Sequence, residues 1–281
     1  MKLRSHFLPT LNNQEVEDYL KEKDVIFVPV GPVEMHGGLP LDCETVVSEA
    51  LALLLAQKTN SLILHNIPYI YSGATASGRG TVQLSIKGSI AFLNEIAHSL
   101  LRQGFKRQVY LSLHGPAHMT VSPMVRDFFD ETGIPILYLD TMVQMGKSKL
   151  ISRNPAEMMK QFDAMILAGY KLRNRLEDVP LITEYSKYRP QSVERYNDLF
   201  GVAYQSGAIG YYFGEHLDHG PTRDIPTAEA REEIAEEGMA YLNELVELCE
   251  IEKKLELMKD LEAFTDSLKE RYPWIPSNNK W

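Results

Sequence analysis

Short apolar runs rich in β-branched residues alternate, from residue 25 to residue 139, with longer segments whose apolar residues recur every three or four positions. That alternation is the pattern of βαβ units, and it restricts the chain to a largely parallel sheet with helices on its faces. The candidate strands are 25–30 (VIFVPV), 62–67 (LILHNI), 109–113 (VYLSL) and 134–139 (IPILYL). Between them, 45–57, 86–103 and 123–132 read as crossover helices. The expected fold class is therefore α/β, a three-layer sandwich with a mainly parallel central sheet flanked by helices. An amphipathic helix over 10–22 precedes the first strand, with Asn12 or Asn13 placed to cap it. Beyond the last strand, 151–176 and the Glu/Lys-rich tract 227–262 also carry helical spacing, the charges of the latter forming a solvated face. The tail 272–281 (YPWIPSNNKW) holds two prolines and both tryptophans, does not continue a helix, and is suited to docking on a neighbouring subunit. No internal repeat or low-complexity linker divides the 281 residues. One domain over 1–281 is expected, with a helical insertion at about 151–200 and a C-terminal helical tract and tail at about 227–281.

Charge and apolar runs exclude several classes of partner. Acidic residues outnumber basic ones, 38 to 29, and a net charge of -9 lacks the basic footprint that phosphate backbones require. Nucleic acid is not an expected partner. Apolar runs stop well short of a membrane span, and the opening MKLRSHFLPT has no hydrophobic stretch after its positive charges, so a cytoplasmic protein is expected. Cys43 and Cys249, far apart in sequence, make neither a disulfide framework nor a paired metal knuckle.

Open α/β sheets hold their ligands beyond the carboxyl ends of their strands, and here those positions are rich in metal-type donors. After the first strand come Glu34, His36, Asp42, Cys43 and Glu44; after the third come His114 and His118; farther on lie Tyr212, Glu215, His216, Asp218 and His219. These three segments hold five of the eight histidines. Imidazole with carboxylate suits zinc, manganese or iron, and a carboxylate bridging two ions lets them share one water, which becomes the nucleophile. The loop 71–81 (YSGATASGRGT) lacks the Lys-Ser/Thr ending of a phosphate cradle and reads as an active-site loop, with its hydroxyls and Arg79 meeting a polar substrate. Cys43, between two acids that raise its pKa, is not expected to act as a nucleophile. Met119, Met124, Met142 and Met145 read as core filling.

The segment VPVGPVEMHGGLPLDCETVVSEAL resembles the creatininase (creatinine amidohydrolase) family, whose hallmark is a strand followed by Glu-x-His-Gly, a Leu-Pro pair and an acidic ligand before a helix. Three further family hallmarks have counterparts at Ser112-Leu-His114-Gly-Pro-Ala117, at Arg79-Gly80-Thr81 and at Tyr212-Phe-Gly-Glu215. The resemblance implies that Glu34, His36 and His114 are metal ligands, that Glu215 reaches the metals, and that Glu44 bridges them, with Asp42 as the competing bridge. It also implies a divalent cofactor of one or two ions, zinc first and manganese or iron as alternatives, and a homohexameric assembly.

This chain departs from the family pattern at several points. One residue is missing between Gly38 and Leu39, together with the family's histidine there; the asparagines flanking the metal histidine are gone; and Tyr212 replaces a histidine. A retained metal set with altered surroundings points to a pocket remodelled for another molecule. His216 or His219 is expected to handle the proton, with His118 and Asp218 as further candidates, and Ser77, Arg79, Thr81, Tyr212 and His118 to meet the substrate. The activity implied is hydrolytic opening of a small cyclic amide. Two alternatives stand beside it: ring opening of a cyclic polyhydroxy ketone or lactone, as in family members of inositol breakdown, and a metal-degenerate scaffolding subunit.

Overall fold

A computed structural model describes residues 2–187, 198–208, 213 and 215–274. Helix α1 (Asn13–Glu22) starts where the Asn12 side chain accepts the Glu15 amide and Glu15 reaches back to the Asn12 amide, so both exposed donors are satisfied. Strand β1 (Val25–Pro29), helix α2 (Cys43–Thr59), strand β2 (Leu62–Ile63), helix α3 (Ile86–Arg102), strand β3 (Arg107–Ser112), helix α4 (His118–Thr132) and strand β4 (Leu137–Asp140) follow. Then come α5 (Thr141–Met145), α6 (Pro155–Leu172), α7 (Phe200–Ser206), α8 (Ala228–Leu248) and α9 (Ile251–Arg271).

The sheet runs β2-β1-β3-β4 with every pair parallel. Because successive strand residues point to opposite faces, Phe27, Val109 and Leu111 join one core with Val47, Leu51 and Leu55 of α2 and residues of α6 and α8. Ile26, Val28 and Tyr110 join the other, with Leu93 of α3 and Val121 and Phe128 of α4. Both faces are covered, which is why β1 is apolar at every position and buried throughout. These are the three layers that the alternating pattern predicts.

Three boundaries differ from the pattern for local reasons. The ladder of β2 ends after Ile63, and Asn66 is drawn out of it: its backbone amide donates to Glu49 and its side chain to the Gly31 carbonyl. Helix α4 begins five residues before Pro123, which sits inside it and lacks the N–H that would reach the carbonyl of half-exposed Met119. The C-terminal tract is two helices, broken at Glu250, whose φ of 44° is left-handed. The segment expected as an insertion supplies α6, which packs between α2 and α8. Close approach needs glycine on both sides: a β-carbon at Gly169 would crowd Val47, and one at Gly238 would collide with the Ala164 carbonyl.

β1 and β3 are parallel neighbours, so the chain leaves both at the same carboxyl end of the sheet. Residues 30–44 and 113–118 therefore meet there, however far apart they are in sequence.

Candidate metal centre

Glu34 and His36 lie on the loop after β1. The Glu34 amide donates to the Leu41 carbonyl, the Met35 amide to the Thr81 hydroxyl, and the Leu39 amide to the His36 carbonyl, which fixes the loop as a tight turn. Glu44 sits in the first turn of α2, where the helix N-terminus favours a carboxylate. His219 arrives from a loop near the C-terminal side of the chain with a left-handed φ of 71°. That loop is locked onto the first one: the Gly38 amide donates to the Gly220 carbonyl at 2.8 Å, and Gly37, at a φ of 57°, has no room for a β-carbon against the same carbonyl.

Glu34, His36, Glu44 and His219 each bring one donor atom into a group lying within 4.8 Å of one another. Glu34, His36 and Glu44 are buried, and His219 keeps a fifth of its side chain exposed. His114, from the end of β3, stands beside them with Nδ1 2.6 Å from Glu44 and 3.4 Å from Glu34. The Thr75 hydroxyl donates to one Glu34 oxygen. The other Glu34 oxygen and both ring nitrogens of His36 have no hydrogen-bond partner among the described residues. A buried polar atom left unpaired is costly, so orphaned donors converging on one point mark a place built for a ligand.

The protonation states agree. Burial, then the neighbouring charge of Glu44, raises the Glu34 carboxyl well above its ordinary range, and burial pushes Glu44 up to about 7. Burial likewise lowers His36 and His114, and brings His219 down to about 4. Neutral imidazoles keep the lone pair that coordination requires, and two carboxyls crowded against each other ionise together only beside a positive charge. The donor set, imidazole nitrogen with carboxylate oxygen, fits a transition-metal dication.

Of Glu44 and Asp42, it is Glu44 whose carboxylate enters the group. Asp42 precedes α2, accepts hydrogen bonds from Tyr170 and Arg175, and stays out of the group. Expectations for the 215–219 segment need correcting. Glu215 and His216 are exposed and lie outside the group, and buried Asp218 turns the segment by accepting the Glu215 amide at 2.9 Å. The turn delivers His219 instead, so a residue expected to handle a proton joins the group of converging donors. Tyr212 lies outside the described residues.

A cavity of about 820 Å³ opens on the group and is lined also by Tyr71, Ser72, Thr75, His118 and Phe213. His118 is thus where a substrate contact is expected, its Nδ1 held by the Gly115 carbonyl at 2.9 Å. Ser77, Arg79 and Thr81 do not line the cavity. Ser77 and Arg79 are exposed, the Ser77 hydroxyl donating to the Phe213 carbonyl, while Thr81 braces Met35 and donates to the Thr75 carbonyl. The first half of the 71–81 loop, not the second, faces the site. Met119, Met142 and Met145 also line the cavity, and of the four methionines expected as core filling only Met124 is wholly core.

Sequence reasoning passed over Asp163. It is buried in α6, accepts both the amide and the hydroxyl of Thr222, and so anchors the loop that carries His219. A lone acid inside the apolar run FDAMILAGY was the signal that could have found it.

Comparison with known proteins gives the same picture. A family model, Creatininase, described as creatinine amidohydrolase, matches residues 9–166. A curated relative, 3-dehydro-scyllo-inosose hydrolase of Thermotoga maritima, is 29% identical over 111 residues, 39% of this chain and 36% of that protein. The match thus spans about a third of that relative's length. A crystal structure of creatinine amidohydrolase superposes with a TM-score of 0.58 at 18% identity, covering 96% of this chain and 99% of the other. A structure described as "Creatininase Mn" gives 0.54 at 16% identity, covering 96% and 100%. At these identities the structural likeness establishes the fold.

Proposed function

This chain belongs to the creatininase family, and from that premise we propose that it is a metal-dependent hydrolase that opens a small cyclic amide by adding water to its carbonyl. The observation that carries the reading is the convergence of buried donors: Glu34, His36, Glu44 and His219 within 4.8 Å, with His114 against the two carboxyls, on the wall of a cavity. These residues would hold the ion, zinc first, with manganese or iron as alternatives. A divalent ion supplies Lewis acidity to a carbonyl and lowers the pKa of water toward neutrality.

The remaining work falls to the chain. Thr75 fixes the rotamer of Glu34 by donating to it. Ser72 is buried, and its hydroxyl, without a hydrogen-bond partner among the described residues, is offered to a polar group of the substrate. His118 is the proton carrier: with Nδ1 donating to Gly115, its Nε2 takes up the proton and returns it to the leaving nitrogen. The Thermotoga relative's name favours a second reading, ring opening of a cyclic polyhydroxy ketone or lactone: from a ketone the leaving carbon needs an adjacent carbonyl to hold its electron pair before a proton reaches it, and from a lactone the leaving oxygen takes the proton. The chain is read as a cytoplasmic homo-oligomer, its two cysteines being buried free thiols. No described helix is long and apolar enough to cross a membrane.

Metal analysis of purified protein and a panel of cyclic amides and cyclic polyhydroxy ketones, scored for amine release and new carboxylate, test this. Glu34→Gln and His36→Ala are each expected to abolish turnover with little loss of fold. Wild-type rates in either, or no tightly bound metal even after soaking, overturn the reading and leave the scaffolding alternative.

A further inference from the structure

The cavity that reaches the metal-type donors is larger and more apolar than a small polar ring requires. Its volume, about 820 Å³, falls in the upper part of the roughly 300–1,000 Å³ range of pockets that hold drug-sized ligands. Its lining includes Glu34, Glu44, His114, His219 and Ser72, and with them Met119, Met142, Met145, Met158 and Met159. These are five of the chain's eleven methionines, brought together from α4, α5 and α6. Met119 and Met142 are 38% and 39% exposed, so these two are not core that happens to border a void, whereas Met145 belongs also to the core that Met158 packs against. Thioether side chains are unbranched and polarisable, and a surface built from them adapts to apolar groups of varied shape.

We infer that the substrate carries an apolar substituent, an alkyl chain or a carbocycle, which lies on this methionine wall while its reacting carbonyl sits at Glu34, Glu44 and His219. The inference rests on the hydrolytic reading of that group and adds the class of molecule to it. The occupant is a substrate arm because the wall and the donors line one continuous cavity, so that a molecule reaching the donors has the wall beside it.

The probe is a series of straight-chain hydroxamates from acetyl to octanoyl, titrated into zinc-loaded protein with 13C-labelled methionine methyls. The expected result is an affinity gain of about threefold per added methylene over the first carbons, with the Met119 and Met142 methyl signals moving for octanoyl but not acetyl and that of core Met124 still. Met142→Gln, at a half-exposed position where folding is not at stake, should lower octanoyl affinity by about tenfold and leave acetyl affinity unchanged. A flat chain-length series, or gains that Met142→Gln does not diminish, overturns the apolar arm while the metal reading stands. Acetohydroxamate that fails to bind overturns the metal reading alone, and 1-octanol added to metal-stripped protein then decides the wall. Shifts at Met119 and Met142 keep the arm, and their absence ends it.

Discussion

Asp163 and Thr222 show how a site depends on residues that never touch its ligand. The Asp163 carboxylate accepts two hydrogen bonds from Thr222, and three residues earlier the chain presents His219. Asp163→Ala frees that loop, and the expected outcome is a zinc affinity weakened about 10–100-fold in a chelator competition, with the far-ultraviolet circular dichroism unchanged. Thr222→Val, which removes only the hydroxyl bond, should fall between. The buried acids also fix a pH dependence in metal-stripped protein. Glu44 is pushed up to about 7 from an ordinary 4.5, so the folded chain keeps a proton that the unfolded chain releases, and stability is lost as pH rises through 7. His36, His114 and His219 are pushed down from 6.5 and act the other way, gaining stability as pH rises until the unfolded imidazoles have lost their protons, about a unit above that value. Above about pH 7.5 the carboxyls act alone, and the urea midpoint of the stripped protein should fall from there. A rising midpoint would count against the buried carboxyls as the source.

Among the elements, α6 carries the most consequence per residue. It holds Asp163, two of the methionines on the cavity wall, and the faces that pack on α2 and α8. Gly238 of α8 lies so close to the Ala164 carbonyl that a methyl group forces the helices apart. Gly238→Ala is expected to cost about 1–3 kcal/mol in urea denaturation and, by displacing the neighbour of Asp163, to weaken metal binding as well. Most elements were legible in the sequence because β1, β3, α2 and α3 follow apolar period and length. The misplaced boundaries had causes that period does not encode. Asn66 leaves the β2 ladder for Glu49 and Gly31, which are distant in sequence. The break at Glu250 has no glycine or proline to announce it.

At the scale of the whole molecule, the sheet sets the site at the carboxyl ends of its central strands, and α9 has an exposed apolar face. Leu257, Leu261 and Phe264 are 51%, 48% and 59% exposed and follow one another at helical spacing, while Leu255 and Met258 of the same helix are buried. A stripe of this kind fits a second copy of the chain. Leu261→Glu combined with Phe264→Glu should lower the mass measured by light scattering without lowering the thermal midpoint. An unchanged mass would rule this stripe out as a contact between copies.

Local pattern in the sequence reported the class of fold, the family resemblance, and the candidates Glu34, His36, Glu44 and His114, because polar residues at strand ends and helix starts interrupt the apolar period. It took the folded chain to bring Glu44 and His219 into the group while Asp42 and Glu215 stay outside it, and to put Met119 and Met142 on the cavity wall, which core Met145 also borders. The physical reason is one of direction. Period and spacing say which residues share an element, but the aim of a side chain on a loop is set by the hydrogen bonds that close it, here Asp218 to Glu215, Gly38 to Gly220 and Asp163 to Thr222, between segments that meet only when the sheet has formed.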